Sequence, residues 1–78
     1  MIISSHAKDE MLQADISEEE VEQCLAHGEL EIKQIVKSET RYGKQLDLKF
    51  KTIMVIYTLR NREERVVTAY PIRRKKQW

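Results

Sequence analysis

The spacing of apolar residues changes at Gly28, and this change constrains the fold more than any other feature of the chain. Before Gly28, apolar side chains recur every three or four residues, which is typical of helices. After it, they alternate with charged residues or form short β-branched runs, which is typical of strands. The sequence therefore predicts two helices followed by three or four antiparallel strands, an α+β domain.

The second of the two helices has the clearer start signal. Ser17 and Glu20 have the spacing of a capping box, in which each side chain accepts a hydrogen bond from the other residue's backbone N–H. Apolar residues then repeat at helical spacing on one stripe, namely Val21, Cys24 and Leu25. Gly28 is expected to end this helix in the left-handed conformation.

A shorter first helix is predicted over residues 4–14. Its apolar positions keep a spacing of three or four residues, at Ile3, Ala7, Met11 and Ala14. Asp15 interrupts the pattern before the second helix begins. The two helices together are expected to form a hairpin with acidic outer faces.

The strongest strand is predicted over residues 52–59, which are almost wholly apolar and rich in β-branched and aromatic residues. Residues 65–72 are its expected partner, joined by a hairpin connection over residues 60–64. Pro71 has no N–H to donate, so the partner strand is expected to end near it.

Two further strands are predicted with weaker patterns. Leu30 and Ile32 alternate with charged residues, and Ile35–Val36 breaks the alternation, which predicts a bulge or bend there. Apolar residues also alternate at Leu46, Leu48 and Phe50, as in another strand.

Length and composition indicate one small domain. Seventy-eight residues provide a single modest core, and we expect residues 1–72 to form one compact unit with residues 73–78 as a basic tail. The single cysteine, Cys24, has no internal disulfide partner, which agrees with a reducing compartment. Because no apolar run is long enough for a membrane span or a secretory signal, a cytoplasmic location without membrane attachment is expected.

The charges are sorted along the chain. Residues 1–40 carry ten acidic and three basic side chains, a net charge of −7, whereas residues 41–78 carry three acidic and eleven basic ones, a net charge of +8. A domain with this asymmetry can present a positive face to a polyanion, either a nucleic acid or an acidic protein. The alternative is that the charges only solvate two surfaces.

Several short motifs occur in an order that resembles a known family. They are His6-Ala7 with Met11 four residues later, Ile16-Ser17 opening a helix, Gly28 closing it, Arg41-Tyr42, and Val67-Thr68-Ala69-Tyr70. Over about residues 4 to 72, the chain resembles the domain of unknown function family numbered 4258. That family is similar to small toxins with the fold shared by barnase, colicin nuclease domains and RelE toxins.

The resemblance implies both a fold and an activity. The fold would be two helices packed on a curved antiparallel sheet. The activity would be metal-independent RNA cleavage by a toxin that is paired with an antitoxin. RNA and an acidic antitoxin-like protein are therefore the expected partners.

Metal-independent RNA cleavage needs a base, an acid and cations over the phosphate. His6 can supply the acid or the base, because imidazole titrates near neutral pH. Arg41 can hold a phosphate with two parallel hydrogen bonds. Thr68 and Tyr70 can donate hydrogen bonds from the same face of the last strand. Each also has a structural explanation; His6, for example, can be half of a surface helix pair with Glu10.

The family pattern is broken at Glu10, where members usually carry an arginine. An anion therefore replaces a cation that could hold a phosphate. This favours a second hypothesis, a non-catalytic interaction module that binds an acidic protein or nucleic acid through its basic sheet and tail. A third is a homodimer formed through an exposed edge strand.

Contacts with nucleic acid are predicted for basic residues of the second half of the chain. They are Arg41, Lys44, Arg60, Arg73, Arg74, Lys75 and Lys76. The sequence contains no metal-ligand spacing and no glycine-rich phosphate loop, so it predicts neither a metal nor a cofactor.

Overall fold

The computed structural model describes residues 1–73, which form two helices and a five-stranded sheet. The helices are α1 (Ser5–Ala14) and α2 (Glu18–His27). The strands are β1 (Ile2–Ile3), β2 (Glu29–Val36), β3 (Glu39–Asp47), β4 (Thr52–Arg60) and β5 (Glu63–Ile72). The predicted α+β class with two N-terminal helices is confirmed.

The sheet is larger than predicted, and it is mixed. Its order is β1-β5-β4-β3-β2, so it has five strands and not three or four. β1 pairs in parallel with β5, through Ile2 with Arg65 and Ile3 with Val66, whereas the other neighbours are antiparallel. A strand of two residues shows no alternation, and Ile3 also fits the helical spacing of α1. For these reasons, the sequence predicts no strand at residues 2–3.

Ser4 joins the start of α1 to the sheet. Its side chain caps the helix by accepting a hydrogen bond from the backbone N–H of Ala7 at 3.0 Å. The Ser4 hydroxyl also donates to the carbonyl of Val67 at 3.2 Å, and its backbone N–H donates to the carbonyl of Val66 at 3.0 Å. The N-terminus of α1 is therefore held against β5.

The capping box predicted at the start of α2 is present. The Ser17 N–H donates to Glu20 Oε1 at 2.9 Å, and the Glu20 N–H donates to Ser17 Oγ at 3.1 Å. The backbone hydrogen bond from Ser17 lowers the pKa of the Glu20 carboxyl, and Lys51 Nζ, at 2.9 Å from Glu20 Oε1, acts in the same direction. Helix α2 thus begins where the local sequence signal places it.

The prediction of a left-handed Gly28 is wrong. Gly28 has φ −69° and ψ 161°, which is extended backbone, and the left-handed cap is instead Asp15 at the end of α1, with φ 56°. Gly28 is needed for space: a Cβ atom there would lie 2.5 Å from the carbonyl oxygen of Cys24 and 2.9 Å from that of Gln45. The close approach of helix and sheet therefore explains this glycine.

The hairpin turns are tighter than predicted. Lys37–Ser38 joins β2 to β3, and Asn61–Arg62 joins β4 to β5. All four residues have positive φ, between 51° and 67°, as a two-residue type I′ turn requires. The predicted connection over residues 60–64 is therefore reduced to two residues.

Two irregularities also lie away from their predicted positions. The bulge expected at Ile35–Val36 lies between Leu30 and Ile32. The alternation through Leu48 and Phe50 does not continue a strand, because β3 ends at Asp47 and the N–H of Leu48 closes a turn onto the carbonyl of Lys51 at 2.7 Å. Phe50 lies in this turn and is exposed.

The helices cover one face of the sheet and enclose the core. The core residues are Ala7, Met11, Ile16, Val21, Cys24, Leu25, Ile53, Val55, Tyr57, Val66 and Ala69. No helix within residues 1–73 has the length and apolar character that crossing a membrane requires.

The other face of the sheet is called the open face here. Side chains alternate between faces, and directly paired residues share one. The open face is therefore built from Met54, Ile56 and Thr58 of β4 with their partners Gln45, Gly43, Tyr70, Thr68 and Arg65. The same alternation puts Glu39 and Arg41 of β3, and Arg60 of β4, on this face.

Candidate functional site

Three side chains from α1 and β5 meet at the edge of the sheet. Glu10 Oε1 lies 3.5 Å from His6 Nε2 and accepts a hydrogen bond from the backbone N–H of Ala69 at 3.2 Å. The Thr68 hydroxyl donates to the same oxygen. Of the four residues predicted to be catalytic, His6 and Thr68 are therefore joined through Glu10.

The local geometry explains this meeting. His6 and Glu10 are four residues apart on α1, so they share one helix face. β1 pairs only with Arg65 and Val66, so β5 has no strand neighbour on that side at Ala69 within the described chain. The Glu10 carboxylate takes the place of a neighbouring strand by accepting the Ala69 N–H.

This arrangement places His6 beside a carboxylate and leaves it accessible. The His6 side chain is 71% exposed, against 31% for Glu10. Nε2 faces the carboxylate, whereas Nδ1 has no hydrogen-bond partner among residues 1–73. An imidazole that lies beside a carboxylate and is open to solvent is a group that can exchange protons with a bound molecule.

Tyr70 lies next to this group. It stands two residues after Thr68 on the same strand face, paired with Met54 of β4, and its side chain is exposed. Thr68 and Tyr70 therefore both belong to the open face, at the strand next to α1.

Arg41 belongs to a different cluster. It lies on β3, which β4 separates from β5, and its Nε is 3.7 Å from Glu39 Oε1. Glu39 Oε2 is in turn 3.3 Å from Arg60 Nη2. The structure gives no contact between Arg41 and His6, Thr68 or Tyr70. It groups Arg41 and Arg60 around one carboxylate on the open face.

The lysines on the helix side serve the packing of the two layers. Lys44 Nζ donates to the carbonyl of Leu25 at 2.6 Å and lies 5.6 Å from the centre of the Tyr57 ring. Lys51 Nζ pairs with Glu20 and donates to the carbonyl of Asp15. Both lysines therefore bind groups of α2 or of the α1–α2 connection. The basic residues placed on the open face are arginines, namely Arg41, Arg60 and Arg65.

The remaining predicted contacts are in the C-terminal segment. Arg73 is exposed at the end of the described chain. Arg74, Lys75 and Lys76 lie outside the described residues.

Sequence reasoning missed a cleft on the open face beside the arginine cluster. Its volume is about 230 Å³, and its polar lining comes from Ser4, Glu39, Thr58, Arg60 and Arg65. Finding it requires the pairing of Thr58 with Arg65, which lies beyond a register shift at Ile56/Tyr57. No local pattern in the sequence gives that register.

Cys24 is a structural residue. Burial raises the pKa of its thiol to about 11, and Sγ donates to the carbonyl of Lys44 at 3.2 Å. At neutral pH the group is therefore a thiol, which is a weak nucleophile. Within residues 1–73, no three His, Cys, Asp or Glu side chains converge as metal ligands.

The fold and the cluster define a small α+β domain with an accessible histidine at the edge of its sheet. The chain belongs to the family described as Domain of unknown function (DUF4258), whose model matches residues 3–71. The resemblance to that family is thereby confirmed. Neither the curated proteins nor the solved structures contain a match to the chain.

Proposed function

We propose that this domain is a toxin-like RNA-binding protein that cleaves RNA without a metal ion, as one member of a toxin–antitoxin pair. The observation that supports this most directly is the accessible His6, 3.5 Å from the Glu10 carboxylate that also binds Thr68, at the edge of the open face. RNA cleavage by transesterification requires no cofactor, only proton transfer and stabilisation of charge on the phosphate.

In the proposed reaction, neutral His6 accepts the proton of a ribose 2′-hydroxyl through its free ring nitrogen. The 2′-oxygen forms a bond to phosphorus while the bond from phosphorus to the 5′-oxygen breaks, which gives a 2′,3′-cyclic phosphate. Tyr70 donates a hydrogen bond to the leaving 5′-oxygen, and solvent supplies its proton. Glu10 holds the imidazole ring and stabilises the imidazolium that forms.

The charge distribution supports the open face as the RNA-binding surface. Residues 5–27, which include both helices, carry seven acidic side chains and one lysine, so they repel phosphates. Arg41, Arg60 and Arg65 all lie on the opposite side of the sheet. An acidic antitoxin-like protein would cover the same arginines and so block RNA.

The test is an RNA-cleavage assay in the presence of EDTA, with long single-stranded RNA as substrate. We expect cleavage by the wild type and a loss of about 100-fold or more in His6→Ala, the size of a removed acid–base group. His27→Ala is the matched control, because His27 is the other histidine and lies in the last turn of α2. Arg41→Ala is expected to weaken RNA binding. An inactive wild type, or equal cleavage by both histidine variants, would disprove the enzymatic function.

Glu10 supports a second candidate, the non-catalytic interaction module. Its carboxylate is engaged by Thr68 and Ala69. By the family resemblance, it stands where members usually carry an arginine. In this case the domain binds nucleic acid or an acidic protein without turnover. RNA binding that weakens steeply with salt, with intact RNA recovered afterwards, would favour this candidate over the first.

A further inference from the structure

The cleft on the open face lies where the β4–β5 hairpin meets the start of α1. Arg60 and Arg65 contribute two guanidinium groups to its lining, and Glu39 contributes one carboxylate. Thr58, which is 3% exposed, and Ser4 add hydroxyl groups. These polar groups stand beside an apolar wall formed by Ile2, Val66 and Val67, so the cleft offers two guanidinium groups at the margin of a largely apolar surface.

The cations of this cluster outnumber the anions that face them. Glu39 is shared between Arg41, at 3.7 Å, and Arg60, at 3.3 Å. Arg65 forms no ion pair or side-chain hydrogen bond with any other residue in 1–73. Arg41 Nε is shielded from solvent and has no hydrogen-bond partner within the described chain. Arg41 does not line the cleft, but it draws on the same Glu39 carboxylate as Arg60, so Glu39 cannot fully neutralise both guanidinium groups.

The other acidic residues of the hairpin leave this excess uncompensated. Glu63 is paired with Arg60 across the strands, but its carboxylate is 3.9 Å from the amino group of Met1 and does not line the cleft. Glu64 is paired with Leu59, so it faces the helix side of the sheet. Glu39 is the single carboxylate among the described residues that line the cleft.

We propose that this cleft binds one phosphate group of an RNA backbone between Arg60 and Arg65, and that Glu39 is an internal competitor for the same guanidinium groups. The inference rests on the proposed RNA-binding function for its choice of ligand. Guanidinium groups bind phosphate oxygens with paired, charge-assisted hydrogen bonds. A phosphate that enters the cleft binds Arg65, which has no competing partner among the described residues, and displaces the Glu39 carboxylate from Arg60.

The test is an NMR titration of the full chain, first with inorganic phosphate and then with a short single-stranded RNA. Arg65→Ala is expected to weaken binding of either probe about tenfold, the effect of losing one charge-assisted contact. Arg62→Ala is the matched control: it removes the same charge from an exposed turn residue outside the cleft, and less than about a twofold change is expected because its charge is screened. Glu39→Gln is expected to tighten binding several-fold.

Each outcome decides a separate part of the proposal. Equal losses in Arg62→Ala and Arg65→Ala would mean that only total charge matters, and the cleft would not be a site. If Glu39→Gln binds phosphate and RNA with the affinity of the wild type, Glu39 does not compete with the ligand. If phosphate binding depends on Arg65 but RNA does not bind, the cleft is an anion site and the proposed RNA-binding function is wrong. If RNA binds equally well to the wild type and to Arg65→Ala, the domain binds RNA but the cleft is not the site. Arg65→Lys, which keeps the charge, is expected to bind with intermediate affinity.

Discussion

At the scale of single residues, Glu10 connects the first helix, the last strand and the candidate catalytic histidine. Its Oε1 accepts hydrogen bonds from the Thr68 hydroxyl and the Ala69 N–H, and the same oxygen faces His6. From the sequence, Glu10 was identified as a departure from the family pattern and as a possible helix partner of His6, and the second of these is present in the structure. Its role as a hydrogen-bond acceptor for β5 depends on the packing of α1 on β5. That contact joins residues 58 positions apart, so no local pattern predicts it.

We expect Glu10→Ala to lower the free energy of unfolding by about 1–2 kcal/mol, because two donors at the strand edge lose their acceptor. Chemical denaturation measures this value. Asp9→Ala, an exposed neighbour on α1, is the control and is expected to change stability by less than about 0.5 kcal/mol. Equal effects of the two variants would show that the Glu10 hydrogen bonds do not stabilise the fold.

Cys24 gives a second prediction at this scale. Its raised thiol pKa of about 11 and its complete burial leave almost no accessible thiolate at neutral pH. A thiol-reactive dye is therefore expected to label the native protein slowly and the denatured protein quickly. Rapid labelling in native buffer, followed by absorbance, would contradict this placement of the side chain.

At the scale of elements, the parts that could be predicted are those with local causes. The start of α2 depends on Ser17 and Glu20, which are three residues apart, and it was found from sequence. β1 has two residues, and it is a strand only because it pairs with β5. The register shift at Ile56/Tyr57 likewise depends on contacts between strands that are distant in sequence. His6 and Thr68 were found as candidates through the family resemblance and the chemistry that it implies. The grouping of Arg65 with Thr58 and Arg60 was not found, because it depends on strand register.

The capping box also makes the stability of α2 depend on pH. The pKa of Glu20 is lower in the folded state than in the unfolded state, so its ionised form stabilises the fold at neutral pH. This contribution is lost as the pH falls through the folded-state pKa. Glu20→Gln is therefore expected to weaken the acid dependence of stability below about pH 5. Denaturation curves at several pH values measure it, with Glu19→Gln as control; identical acid dependence in all three proteins would contradict it.

At the scale of the whole molecule, the two edges of the sheet differ. The β5 edge is occupied by β1 and by Glu10, and Pro71 has no N–H to offer. The outer edge of β2 has no strand partner within the described residues, and Leu30 and Ile35 are 52% and 74% exposed there. The homodimer that the sequence suggested would therefore use β2.

We expect weak self-association at high protein concentration, with a dimer that Ile35→Lys disrupts by placing a charge on the β2 edge. Sedimentation equilibrium over a range of concentrations measures this. Phe50→Lys is the control, because Phe50 is 89% exposed in the turn after β3 and belongs to no strand. A strict monomer at every concentration would rule out the homodimer.

The closed edge at β5 has one further consequence. A sheet that can be extended from both sides can recruit subunits without limit and grow into fibres, whereas one that accepts a neighbour on a single side stops at two copies. The carboxylate of Glu10, by occupying a backbone donor, limits the stoichiometry of any assembly built by strand addition.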